Sequence, residues 1–297
     1  MDLSIKDVVW FANQRHRAWA GQRVSDPIVA TRKFTNVFRV LDRGSQYLMT
    51  LMNAYDRTET RDRVALSYFY RQVNRPDTMN EIIQANEGYV PSFEEITNPK
   101  WYDKVVAPVV LKRPGKFLNG AYIILIKPGD SRGTLEKMKE MFPQAGPSLE
   151  RVATLSSLAS RVRELQKTPG LGPFLAMQIA TDLGYCRGEE DQENDFILAG
   201  PGSRKGIGFM LGLGKDASPA QAVQTITTFP VEKLPELPGS NGRAASWMDI
   251  QNVFCEFSKY ARFKRDNKVG SEAYQRNGHF STSIPAQFVL GSTRQPR

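Results

Sequence analysis

Apolar residues recur at three- and four-residue steps along most of this chain, the spacing that lays one apolar stripe along an α-helix. In the amino-terminal third this pattern predicts helices over residues 7–19, 34–53 and 60–74, the last rich in aromatic residues. Residues 88–127 are less regular, with turn signals at Tyr89-Val-Pro and Lys127-Pro-Gly and an apolar run, 121–126, that reads either as a short strand or as a buried helix. A short helical segment over 135–142 follows. Leu149, Val152, Leu155, Leu158, Val162 and Leu165 then share one face of a longer helix. A second helix opens at Pro173 and carries Phe174, Leu175, Ile179 and Leu183 to Gly184, which stands where a C-cap would. Beyond a polar link over 187–194 come a Gly-rich loop, an amphipathic run over 217–229, a Pro-punctuated turn over 230–238 and a helix over 246–263. The expected fold class is mainly α with few short strands. It is organised as a helical region over 1–145 and a second over 146–297, packed around one cleft.

The turn Thr168-Pro-Gly-Leu-Gly-Pro-Phe174 concentrates the chemistry of the central pair of helices. The first helix must stop before Pro169, and Pro173 suits the first position of the next. Gly170 and Gly172 allow positive φ and let the main chain come within hydrogen-bonding distance of a phosphate. The amides of the second helix's N-terminus carry partial positive charge and accept an anion without any basic side chain. Gly170, Leu171, Gly172 and Phe174 are therefore candidate DNA-binding residues, and the hairpin is a candidate site for a structural monovalent cation. The same residues also read as an ordinary helical hairpin.

Composition adds a partner class. Forty Lys and Arg against thirty-one Asp and Glu leave a net charge of +9, with a pI near 9.5, which favours polyanions. Two Cys and two His in 297 residues exclude a Cys/His zinc or iron–sulfur set and a disulfide framework. No metal site, no magnesium motif and no cofactor are expected. The start of the chain lacks a signal-like pattern and no apolar run is long enough for a bilayer, so a soluble, cytoplasmic protein without a membrane partner is expected.

Asp195 stands twenty-five positions after Gly170, at the end of the polar link and before Phe196-Ile-Leu. This placement resembles the helix-hairpin-helix DNA glycosylase superfamily, in which an aspartate at about this distance enters the base-excision site. Phe174 stands where lyase-type members carry a catalytic lysine, so the resemblance implies no Schiff-base strand cleavage there. Asp195 also reads as a helix N-cap or a loop carboxylate. In Ala199-Gly-Pro-Gly-Ser-Arg-Lys-Gly206, glycines free the backbone to turn amides toward an anion while Arg204 and Lys205 add charge, an arrangement suited to pyrophosphate; a solvated turn has the same composition. Two further stretches place polar residues on otherwise apolar helical faces. Arg32, Asn36 and Arg39 align with Arg43 one turn on, and Gln251, Asn252, Glu256, Lys259 and Tyr260 form the second set. Each reads as a pocket lining or as solvated and ion-paired surface.

Taken together, Phe34-Thr-Asn-Val-Phe-Arg-Val-Leu-Asp-Arg-Gly44, Pro169-Gly-Leu-Gly-Pro-Phe174, Ala199-Gly-Pro-Gly-Ser-Arg-Lys-Gly206 and Ile250-Gln-Asn-Val-Phe-Cys-Glu-Phe-Ser-Lys-Tyr260 resemble the alpha-glutamyl/putrescinyl-thymine pyrophosphorylase family. That family occurs especially in bacteriophages, is similar to the helical domain associated with 5-hydroxymethyluracil DNA kinases, and is a glycosylase-fold branch diverted to DNA hypermodification. The resemblance implies a transferase that displaces pyrophosphate from a pyrophosphorylated 5-hydroxymethyluracil in DNA with the amine of an amino acid or polyamine. Its partners would be DNA carrying modified thymine and that amine, inside an infected bacterial cell. Asp195, Glu256, Asn36 and Arg39 are then candidate catalytic residues. Gly200, Gly202, Ser203, Arg204 and Lys205 are candidates for pyrophosphate, and Arg32, Arg43, Gln251, Asn252, Lys259 and Tyr260 for the base or the amine. A base-excision glycosylase and a non-catalytic DNA-binding module are the alternatives.

Overall fold

A computed structural model describes residues 3–54, 60–118, 133–187, 192–270 and 284–289. The chain divides into two compact units: the two ends, Met1–Asp42 and Glu193–Arg297, form unit 1, and Arg43–Gln192 form unit 2. Unit 1 begins with α1 (Ile5–Trp19) and α2 (Pro27–Thr31), and a 3-10 turn at Arg39–Leu41 leads out of it. Unit 2 contains α3 (Arg43–Ala54), α4 (Thr60–Val73), α5 (Pro76–Ala85), α6 (Phe93–Ile96), α7 (Pro99–Trp101), a π-helical turn (Tyr102–Val106), α8 (Ala107–Lys112), α9 (Thr134–Thr154), α10 (Leu158–Leu165) and α11 (Pro173–Arg187). Unit 1 resumes with α12 (Pro201–Met210), α13 (Pro219–Thr227), α14 (Trp247–Arg265) and α15 (Ala286–Val289). The fold is mostly helical, and no strand occurs among the described residues. The few expected strands are therefore absent there, and the 121–126 run lies outside those residues. The expected boundary at 145/146 falls inside α9.

In unit 2, α4 is buried on nearly every side and packs against α9 and α11. Its Tyr68 and Phe69 meet Phe142 edge-on, Phe69 also meets Trp101 and Phe142 meets Tyr102 in the same way, with Tyr68 and Phe142 centroids 4.9 Å apart, an arrangement favoured by the ring quadrupoles. Burial pushes the phenols of Tyr68 and Tyr102 well above their ordinary range. Beside these rings lies a buried ionic cluster. The Arg71 guanidinium donates to both oxygens of Asp182 and to the Ser45 hydroxyl, and Ser45 donates to Asp182 at 2.7 Å. Charges so deeply buried are tolerated because each satisfies the other, and the cluster ties α3, α4 and α11 together.

Three sequence expectations change for identifiable reasons. The 149–165 run is not one helix: α9 ends at Thr154 and α10 is separately capped by Ser157, whose side chain accepts from Ser160. Arg161 closes the break by donating to the Leu155 carbonyl at 2.8 Å. Gly184 is interior to α11, which continues to Arg187. The Gly-rich loop is the helix α12, with Gly200 as its N-cap.

The last change explains the core of unit 1. Gly202, Gly206 and Gly208 are helical and lie against backbone and short side chains: a Cβ at Gly202 would overlap the Cys255 sulfur, one at Gly206 the Phe254 carbonyl, and one at Gly208 the Lys215 carbonyl. Gly202 and Gly206 let α12 settle onto the α14 backbone, and Gly208 admits the Lys215 carbonyl, a role for small residues distinct from turning. On another side of α14, Phe11 of α1 packs among Phe34, Phe257 and Tyr260 at centroid separations of 5.0–5.8 Å. Two alanine substitutions should consequently have opposite signs. Gly206→Ala should cost about 1–3 kcal/mol by overpacking, whereas Gly184→Ala, with open space around its Cα, should gain roughly 0.5–1 kcal/mol from helix propensity. Chemical denaturation of the two variants checks both signs.

Candidate functional site

In unit 2, the turn between α10 and α11 forms as expected. Leu165 accepts from the Thr168 amide at 3.0 Å and from its hydroxyl, and Thr168 accepts from the Leu171 amide at 3.3 Å. Gly170 has φ +79°, a conformation that favours glycine. Leu171 is buried and anchors the turn, so it is a packing residue rather than a contact residue. Gly172 caps α11 by accepting from Ala176 at 3.1 Å. Gly172 and Pro173 are exposed and Phe174 is half-buried. The amides of Gly172, Phe174 and Leu175 have no acceptor among the described residues. Gly172 does not need positive φ, and a Cβ there would meet nothing within 4 Å. Its lack of a side chain keeps the approach to these amides open. Behind the turn, the Lys167 ammonium, helped by Arg151, holds the Glu164 carboxyl below its usual range.

In unit 1, Asp195 ends the turn that opens the second half of the unit, with its side chain exposed and without a hydrogen bond or ion pair among the described residues. Its two predecessors fasten that turn. The buried Glu193 pairs with Arg243, whose guanidinium also reaches Asp249 at 3.4 Å and lies over Phe288 at 4.0 Å. The Asn194 side chain accepts from the Trp247 amide at 2.9 Å. Both anchors grip the N-terminus of α14, where Asp249 and Ser246 form a capping box. Ile197, buried on the far side, completes the fixation. A carboxylate left free on a turn pinned on both sides is geometrically suited to receive a proton from a substrate. Glu193, Asn194 and Arg243 were not singled out by sequence reasoning. Only the Ser246-to-Asp249 spacing was locally legible.

The two polar stretches do come together, but not as two helical faces. Residues 32–38 are not helical, because neighbouring side chains claim their backbone groups. Arg15 donates to the Phe34 carbonyl at 2.7 Å, Glu256 accepts from the Thr35 amide at 2.9 Å, Asn252 donates to the Asn36 carbonyl at 2.6 Å, and Asp249 accepts from the Arg39 amide at 2.6 Å. The expected alignment of Arg32, Asn36 and Arg39 is thereby lost. Asn36 and Arg39 are buried, the latter 3.6 Å from Asp42. The other oxygen of Glu256 takes Lys259 at 2.5 Å. Asn252 also accepts from Thr35. Gln251 is buried 3.5 Å from the Ser203 hydroxyl, and Tyr260 donates to Asp26 at 3.0 Å, its phenol pushed up by burial and by that carboxylate. Arg32 donates to the Lys268 and Val269 carbonyls. Asp249, Asn252 and Glu256 thus fasten residues 35–39 to α14. Arg43 is exposed at the start of α3 and belongs to unit 2.

Among the residues assigned to pyrophosphate, Ser203 is buried and donates to Gly200, and Arg204 exchanges hydrogen bonds with Ala217. Lys205 is exposed. The cationic groups of α12 that remain for an anion are the exposed Lys205 and the half-buried Arg204 guanidinium, of which only Nε is engaged among the described residues. Both cysteines are free, and burial pushes the Cys255 thiol up to about 11 and shifts Cys186 further in the same direction. Among the described residues no group of three His, Cys, Asp or Glu side chains is placed to hold a metal ion, and no helix is long and apolar enough to cross a membrane.

Comparison with known proteins follows the same span of chain. A protein of Bacillus phage SP10 named 5-hmdU DNA kinase is 26% identical over 208 residues, which cover 62% of this chain and 31% of that protein. The chain therefore spans about a third of the length of that curated relative. No solved structure matches. The profile of the family described as 5-hmdU DNA kinase, helical domain, matches residues 4–270, a span that takes in both units, the α10–α11 turn and Asp195. The chain belongs to the 5-hmdU DNA kinase helical-domain family.

Proposed function

We propose that this protein is a phage enzyme of thymine hypermodification, which acts on a 5-hydroxymethyluracil-derived base in DNA and replaces a pyrophosphate leaving group with the amine of an amino acid or polyamine. The observation that carries the reading is the family match over residues 4–270, together with a relative named for 5-hydroxymethyldeoxyuridine in DNA. Two local geometries support it. The outward-facing amides beside Gly172 in unit 2 suit the phosphates of a DNA backbone. In unit 1, Asp195 is an exposed, unpaired carboxylate on a turn anchored through Glu193 and Asn194.

The step balances without an added reactant. The bond between the methylene carbon on C5 and the pyrophosphate oxygen breaks, and that oxygen keeps the electron pair. A carbon–nitrogen bond forms from the amine, and the proton released from nitrogen passes to the Asp195 carboxylate. Lys205 and Arg204 offset charge on the departing pyrophosphate. The base must leave the stack to be reached. In this reading Glu256, Asn36, Arg39 and Asn252 are positioning residues, because their polar groups are committed to holding residues 34–39 on α14.

A second reading is favoured by the family description itself: a helical module that recognises the modified base for chemistry carried out elsewhere. Pyrophosphate release separates the two. On DNA bearing pyrophosphorylated 5-hydroxymethyluracil with an amine donor, wild type should release pyrophosphate, and Asp195→Asn should lose at least a hundredfold in rate while binding DNA as tightly as wild type. An unchanged rate in the variant would remove Asp195 from the chemistry, and no release by wild type would favour the recognition module. Arg243→Met should act through position instead. It strands the buried Glu193 and Asp249 carboxylates, which should cost about 3 kcal/mol of stability in chemical denaturation and lower turnover in parallel.

A further inference from the structure

We infer that unit 1 carries a second DNA-binding face, at the carboxyl end of α14, on which strand phosphates lie across Lys33, Lys264, Arg265 and Lys268 while a base meets Trp10. This rests on the reading that the protein acts on DNA, and it adds a contact surface independent of the α10–α11 turn. The positive excess of the chain is unevenly shared. Unit 1 holds twenty basic against thirteen acidic residues, a net +7, and unit 2 twenty against eighteen, a net +2.

Within unit 1, two basic segments more than 230 positions apart are bound to each other. Arg32 donates to the Lys268 and Val269 carbonyls at 3.3 and 3.0 Å and its guanidinium lies 4.8 Å from the centre of the Phe263 ring. The Gly270 amide donates to Thr31 at 2.8 Å. Arg32 is thus a strut that sets Lys33 beside the end of α14. Lys33, Lys264, Arg265 and Lys268 are all exposed. Among the described residues the acidic groups that face them are few. Asp266 pairs with Arg265 and Lys268 at the surface, Asp7 feels Lys264, and Asp26 is taken by Tyr260. The helix dipole accounts for cations in the last turn of α14. It accounts neither for Lys33, which lies outside that helix, nor for the neighbouring indole.

Trp10 keeps 38% of its surface exposed. Its ring lies 6.0 Å from that of Tyr260, and Lys264 sits 5.7 Å from the same Tyr260 ring. A cationic row beside an accessible aromatic face is the combination that holds a polynucleotide strand, with phosphates on the cations and a base on the ring. A purely ionic partner would have no use for the indole.

The test is the triple variant Lys264→Gln/Arg265→Gln/Lys268→Gln in the full chain, titrated with labelled single-stranded and duplex DNA over a range of salt. The variant should keep the wild-type circular dichroism and melting temperature. Its DNA affinity at low salt should fall roughly a hundredfold, and its slope of log K against log salt should drop by about two to three. Trp10→Ala should weaken single-strand binding roughly tenfold and change the salt slope little. A triple variant with wild-type affinity and slope overturns this face and leaves the proposed function standing, whereas a wild type that binds no DNA defeats both. Loss of binding to anionic phospholipid vesicles with DNA binding intact would also overturn the inference, in favour of a membrane surface.

Discussion

Buried backbone polar groups must find partners, and in unit 1 helix α14 supplies them for neighbours that cannot satisfy themselves. Asp249 accepts from Ser246 and from the Arg39 amide, Asn252 donates to Asn36, and Glu256 accepts from Thr35. The N-terminus of the same helix takes Asn194 and, through Arg243, Glu193. Its flank receives α12 at a separation only glycine permits. Asp195 is presented to solvent because everything on either side of it is tied down. The turn that carries it is held by Glu193 and Asn194, neither of which is itself a candidate for the chemistry.

This economy explains why some polar residues on α14 are poor catalytic candidates. Each oxygen of the Glu256 carboxylate already accepts a hydrogen bond, one from the Thr35 amide and one from the Lys259 ammonium. The amides beside Gly172 and the Asp195 carboxylate are in the opposite condition: accessible, unsatisfied and carried on backbone fixed by neighbours. Unspent hydrogen-bonding capacity on a rigid frame, rather than polarity alone, separates the candidates for function from the residues that build the frame.

Much of the helical content was legible from periodicity. The predicted 7–19, 60–74 and 246–263 segments correspond to α1, α4 and α14, and the Gly-Leu-Gly-Pro turn forms where its residues placed it. What was not legible has a common cause. Residues 34–38 carry apolar residues at helical spacing, yet side chains about twenty and more than two hundred positions away claim their backbone, and no local pattern reports that. Gly202 and Gly206 gave, with Gly200, the composition of a phosphate loop because close helix packing and loop turning both call for a missing Cβ, and only the position of α14 distinguishes them. Glu193 and Arg243 stand fifty positions apart and carried no local signal of pairing. Asp195 was singled out from its spacing to the hairpin, while the anchors of its turn, Glu193 and Asn194, were not.

The central claim concerns what happens to the base. DNA containing pyrophosphorylated 5-hydroxymethyluracil, incubated with the protein and a mixture of amino acids and polyamines and then digested to nucleosides, reports it directly by mass spectrometry. A new thymidine-derived nucleoside heavier by one bound amine is the result the account predicts. Unaltered nucleosides, or a free base with abasic sites left in the strand, would contradict it.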